Sequence, residues 1–152
     1  MNKINVGRAL LGGLLTGLVL NVIDGVVNAV ILADQWAAVQ KALGKSGLFT
    51  VNQVIGFNLL GFAAGIVAVW LYAAMRSRFG GGTATAVRAG LITWALLVVL
   101  PDVFLIVADI LPMNLLGLLI AVGVIEYPLA VMAGGALYKE AAGDEKNAAA
   151  HA

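Results

Sequence analysis

The chain has 152 residues, of which apolar types make up 62% and Asp, Glu, Lys and Arg only 11%, with a mean hydropathy of +1.01. A soluble domain carries about 45 to 50% and 25% of these classes, and so short a chain has no globular core large enough to hide the surplus, so a bilayer is the expected solvent. A net charge of +1 gives no basic stripe for nucleic acid, the lack of cysteine removes disulfides, iron–sulfur clusters and thiolate metal sites, and the single histidine, His151, leaves no imidazole pair for a metal or haem and no Ser-His-Asp set.

The first apolar segment covers about 8–33, roughly 39 Å of helix, enough to cross a bilayer with tilt. Lys3 and Arg8 before an apolar run also suit a signal peptide, with Val27-Asn28-Ala29 as cleavage site, but the run is too long and contains Asp24, so a span is expected. At about 100° per residue, Gly17, Asn21, Asp24 and Asn28 fall within an arc of roughly 60° and leave the opposite face to Leu, Val and Ile. This pattern describes a helix lying in lipid with one polar seam turned toward protein. Trp36 is placed as an interfacial anchor, and Trp36, Val39 and Leu43 recur at helical spacing, so a short amphipathic surface helix ended by Gly44 and Gly47 is expected in the loop 34–50.

The second segment covers about 52–75 and is expected to stop at Arg76-Ser77-Arg78. Asn58, Gly61, Gly65 and Tyr72 share one arc, a second seam of small residues with a polar group in it. Gly80-Gly81-Gly82 gives a tight turn with Thr83 as N-cap. The third segment, about 84–108, carries Pro101-Asp102, and a kink is expected there because proline removes a backbone bond. The fourth, about 114–138, has Glu126-Tyr127-Pro128 at its centre. Residues 140–152 read as a disordered cytoplasmic tail on a transmembrane domain of 1–139.

Lys3, Arg8, Arg76, Arg78, Arg88, Lys139 and Lys146 fall on one side of the spans and only Lys41 and Lys45 on the other. The positive-inside rule then places both termini in the cytoplasm. The expected fold is all-α, an antiparallel bundle of four transmembrane helices with the amphipathic helix in its first external loop. Asn58-Leu-Leu-Gly61 and Asn114-Leu-Leu-Gly117 match, but Leu- and Gly-rich helices produce such matches by chance.

The residues Trp70-Leu-Tyr-Ala-Ala-Met-Arg-Ser-Arg-Phe-Gly80, Arg88-Ala-Gly90, Trp94, Pro101, Glu126-Tyr-Pro128 and Ala133-Gly-Gly-Ala-Leu-Tyr-Lys-Glu140 resemble a group of small bacterial membrane proteins without an assigned function. The resemblance covers the four segments. It implies a four-helix integral protein of the bacterial cytoplasmic membrane and supplies no catalytic residue.

Four carboxylates fall in or near apolar spans: Asp24, Asp102, Glu126 and, nearer the outer surface, Asp109. An aspartate at a helix centre costs about 2.5 to 3.5 kcal/mol, and no lysine or arginine lies at the right depth to offset it. One solution is neutral carboxyl groups that act, with Asn21, Asn28 and Asn58, as interhelical hydrogen-bonding glue. A second is a proton or cation site formed by Asp24, Asp102 and Glu126. A third is a seam that holds a partner's helix or a small ligand. Gly13 and Gly17, and Gly61 and Gly65, are small-xxx-small pairs suited to close helix packing, within the chain or across a dimer. Gly80-Gly-Gly-Thr83 lacks the Lys-Ser/Thr ending of a phosphate loop, and no metal or cofactor is expected.

The function expected from sequence is a non-enzymatic structural or accessory membrane bundle, working as a homo-oligomer or as a subunit of a larger complex. The alternative is a small proton- or cation-coupled transporter or channel built on Asp24, Asp102 and Glu126.

Overall fold

A computed structural model describes residues 4–45, 47 and 49–138. Within them the regular structure is entirely helical: α1 Val6–Ile31, α2 Ala33–Ala42, α3 Val51–Phe79, α4 Thr83–Val107 and α5 Met113–Leu137. The four longer helices are each long and apolar enough to cross a bilayer, the mark of a multi-pass membrane protein. The segment 140–152, expected to be a disordered tail, lies outside the described residues.

Local chemistry sets most helix ends. The Asn5 side chain accepts the Arg8 N–H at 3.2 Å and caps α1. Thr50 and Gln53 form a reciprocal capping box at the start of α3. Gly44, with φ +70°, follows α2, and Gly80, with φ +77°, terminates α3, both in the left-handed region that glycine enters without strain. Two expectations are corrected here. Helix α3 runs a full turn past Met75, to Phe79, because arginines do not break a helix and the first residue that does is Gly80. Thr83 is the first residue of α4 rather than its cap; the cap position is Gly82, and the hydroxyl of Thr85 donates instead to the Gly80 carbonyl at 2.8 Å.

The break expected at Pro101 takes a different form. Residues Ala95–Val99 make a π-helical turn, with the Leu100 N–H donating to the Ala95 carbonyl five residues back. A widened turn just before a proline makes room for the ring where an α-turn would drive it into the preceding carbonyl. A second π-turn, Val27–Ile31, ends α1, and the Leu32 N–H donates to the Val27 carbonyl at 2.8 Å.

In lipid the apolar effect does not drive helices together, so small residues and hydrogen bonds must do so. Helix α1 uses two faces for this. On one, a Cβ added to Gly13 would come within 2.5 Å of the Ile66 Cα, and one on Gly17 within 2.6 Å of the Phe62 Cα, so α1 and α3 are in backbone contact. Gly65 lies against Gly13 and Gly17 from the other side, and Gly61 against the Asn21 side chain. On its second face, Gly12 and Thr16 meet Gly134 of α5, and the Thr16 hydroxyl donates to the Ala130 carbonyl at 3.1 Å. Helices α4 and α5 close on each other where Gly90 backs onto Pro128 and Gly123 onto the Trp94 ring, whose Nε1 donates to the Ile120 carbonyl at 3.0 Å.

The two ends of the bundle differ. At one end Tyr72 and Tyr138, each 3% exposed, sit edge to face, with the Arg76 guanidinium over both rings at 5.7 and 5.3 Å. Arg76 Nη1 donates to the Tyr138 carbonyl at 3.2 Å. The Tyr138 hydroxyl accepts the Asn5 N–H, and the Tyr72 hydroxyl the Gly82 N–H, both at 3.2 Å. This end, the tyrosine end, is tightly closed. At the other, α2 folds over the bundle and packs Val39 with Val27, Leu32 and Leu115. There the first ten residues of α3 and the second half of α4 are largely exposed.

Candidate functional site

The polar residues of the first seam meet around a cleft of about 730 Å³ near the α2 end, bounded by α1, α2, α3 and a single residue from each of α4 and α5, Leu97 and Tyr127. Asn21, Asp24 and Asn28 reach it from α1 and Asn58 from α3. The helical period that puts the α1 residues on one face explains their shared direction. At 1.5 Å per residue Asp24 lies about 8 Å from the middle of α1, and Glu126 about 2 Å from the middle of α5.

Most of these groups are already engaged. Asn21 Nδ2 donates to the Asn58 carbonyl at 3.0 Å, tying α1 to α3 beside Gly61. Asn58 Nδ2 turns back to the Val54 carbonyl of its own helix at 2.8 Å. Asn28 Nδ2 donates to the Asp24 carbonyl at 2.9 Å and, at a long 3.4 Å, to the Asp24 carboxylate. The Asn28 amide oxygen accepts from Trp36 Nε1 at 2.9 Å, which fixes α2 over the end of α1. Trp36, expected from sequence as an interfacial anchor, is half-buried and also acts as a structural donor. Its ring meets Phe49 edge to face, and Phe49 in turn meets Phe57, each pair with centroids 5.4 Å apart.

The three carboxylates do not all share the cleft. Asp24 lines it, whereas Asp102 and Glu126 do not. Glu126 is 4% exposed, and its Oε1 is buried without a hydrogen-bond partner among the described residues. Asp102 is half-buried on α4 beyond the π-turn. Tyr127, which follows Glu126 on α5, is itself buried and lines the cleft together with Asp24.

Sequence reasoning placed Tyr127 at the centre of the fourth segment but did not count it, Gln40 or Gln53 among the candidate site residues, and all three line the cleft. The available signal was position: Tyr127 adjoins Glu126 at mid-span, and Gln40 lies one helical turn beyond Trp36. The polar and aromatic groups facing the cleft are carboxylate, amide, phenol and ring, set among aliphatic side chains such as Val54, Leu60 and Leu97. No lysine, arginine or histidine is among its described lining residues, so it is suited to cations and hydrogen-bond donors rather than to anions.

Comparison of the chain with protein-family models, with curated proteins and with solved structures returned no match.

Proposed function

We propose that this chain is a small, non-enzymatic accessory protein of a bacterial inner membrane. In this reading it is an antiparallel four-span bundle with both termini cytoplasmic, working as a homo-oligomer or as a subunit of a larger complex. The observation that carries the reading is how the polar groups of the spans are used. Thr16, Asn21 and Trp94 each donate to a backbone carbonyl of a different helix, and Asn28 holds Trp36 of α2. Such groups hold a scaffold together at about 0.6 to 2 kcal/mol apiece. The test is the mass of the particle extracted from its native membrane in a mild detergent. A fixed-stoichiometry complex, with a second copy or another membrane protein, is the expected result, and a lone chain in its micelle counts against the proposal.

The opening of Asp24 onto a cleft that Tyr127 also lines favours a second reading, a proton- or cation-coupled transporter or channel. On that reading, reconstituted liposomes show an ion- or pH-dependent flux that Asp24→Asn abolishes. Absence of flux in the unaltered protein removes it.

A further inference from the structure

Helix packing leaves the cleft open. At about 730 Å³ it has the size of pockets that enclose a small organic molecule. Its lining is chemically uneven. Asp24 presents a carboxylate to it, and the hydrogen bond that carboxylate receives from Asn28 is a long one, at 3.4 Å. Toward α2 stand three aromatic rings, Trp36, Phe49 and Phe57, locked edge to face. Around the rim, Leu60, Val67 and Leu97 are 67%, 56% and 44% exposed and, on membrane-spanning helices, face acyl chains.

We propose that the cleft binds one lipophilic organic cation, an ammonium or phosphonium on an apolar body, entering from the lipid side with Asp24 as its counter-ion. Each part of the lining selects against another ligand class. A carboxylate with no lysine or arginine among the described lining residues repels phosphates and fatty acids. An uncharged apolar molecule leaves a carboxylate uncompensated in a low-dielectric setting. An inorganic cation gains nothing from the apolar rim, whereas an organic cation gains from it and from the aromatic faces. The site needs neither a partner protein nor transport and so goes beyond both readings above.

The test is calorimetric titration of the full chain in neutral maltoside micelles, against a micelle blank, with methyltriphenylphosphonium and its uncharged isostere 1,1,1-triphenylethane. The expected result is one phosphonium per chain, with the isostere weaker by about tenfold or more. Asp24→Asn is expected to bind the phosphonium about tenfold or more weakly, and Asp24→Glu to retain most of the affinity. Equal binding of the two compounds, no binding by the folded protein, or unchanged affinity in Asp24→Asn overturns the proposal. Should Asp24→Asn fail to fold, Phe57→Ala on the lipid-facing wall carries the test, and unchanged affinity in that variant overturns it. No second protein is present, so failure here leaves the accessory reading standing.

Discussion

Gly65→Ala isolates the contact on which the bundle depends most. A Cβ at this position lies 2.5 Å from the Gly13 carbonyl oxygen and 2.7 Å from the Gly17 Cα, with the Gly17 nitrogen closer still. Atoms of these kinds settle at about 3.5 to 4.0 Å, so α1 and α3 must separate locally by about 1 Å. Backbone stands on both sides, and no side chain has a rotamer that relieves the clash. Overpacking of this kind costs about 1 to 3 kcal/mol, and the same separation stretches the 3.0 Å bond from Asn21 to the Asn58 carbonyl. Gly56 on the same helix is the internal control, because a Cβ there meets nothing within 4 Å. Gly56→Ala removes a mid-helix glycine at no steric cost and is expected to be neutral or stabilising by up to about 1 kcal/mol. Both variants are measured by unfolding in mixed micelles with increasing dodecyl sulfate, followed by far-ultraviolet circular dichroism. Equal stability of the two, to within about 0.5 kcal/mol, refutes backbone contact between α1 and α3.

Three further outcomes are expected. Thr16→Val keeps the shape of a fully buried side chain and deletes its bond to the Ala130 carbonyl, so the same titration should show a loss of about 0.6 to 2 kcal/mol. Tyr138→Phe removes the oxygen that accepts the Asn5 N–H, and hydrogen exchange at Asn5 should quicken by about two- to tenfold while mid-helix amides of α1 keep their protection. The chain has no cysteine, so single substitutions report topology directly. A membrane-impermeant maleimide added outside intact cells should label Lys45→Cys at once and Ser77→Cys only after the membrane is opened, and labelling of both from outside removes the proposed orientation.

What the sequence made legible, and what it hid, follows from the range of each interaction. The spans were readable because an apolar run of twenty-odd residues is a property of the run itself. The end of α3 was misjudged because Arg76 and Arg78 resemble a stop signal, whereas arginines do not break a helix and the first residue that does is Gly80. Pro101 marked a disturbance correctly in place, but its form, a π-turn over the preceding residues, depends on what α4 packs against. Spacing identified Gly13 with Gly17 and Gly61 with Gly65 as helix contacts without saying that they contact each other. The matching row of Gly12 and Thr16 against Ala130 and Gly134 carries the same four-residue spacing, but threonine and alanine disguise it. Three acidic residues within the apolar spans invited grouping. Only the fold separates Asp24 in the cleft from Glu126 in the packed interior, and only the fold brings Tyr127 to the cleft that Asp24 lines.

The cleft then has a cause in the distribution of residue sizes along α3 and α4. Toward the tyrosine end α3 offers Gly65, Ala68 and Ala73, and α4 offers Ala86, Ala89 and Gly90, so backbones approach and close. Toward α2 the same helices carry Val54, Phe57 and Leu60 and Leu96, Leu97 and Leu100, side chains that lipid solvates as well as another helix would. Nothing draws the helices together there, and the gap exposes the polar face of α1 exactly where Asn21, Asp24 and Asn28 recur at helical spacing. Filling that gap with small residues should close the cleft and bury Asp24 without a counter-charge, an arrangement that costs several kcal/mol in hydrocarbon. The bulky residues of the splayed end are therefore as much a part of the site as the carboxylate, since they keep it open.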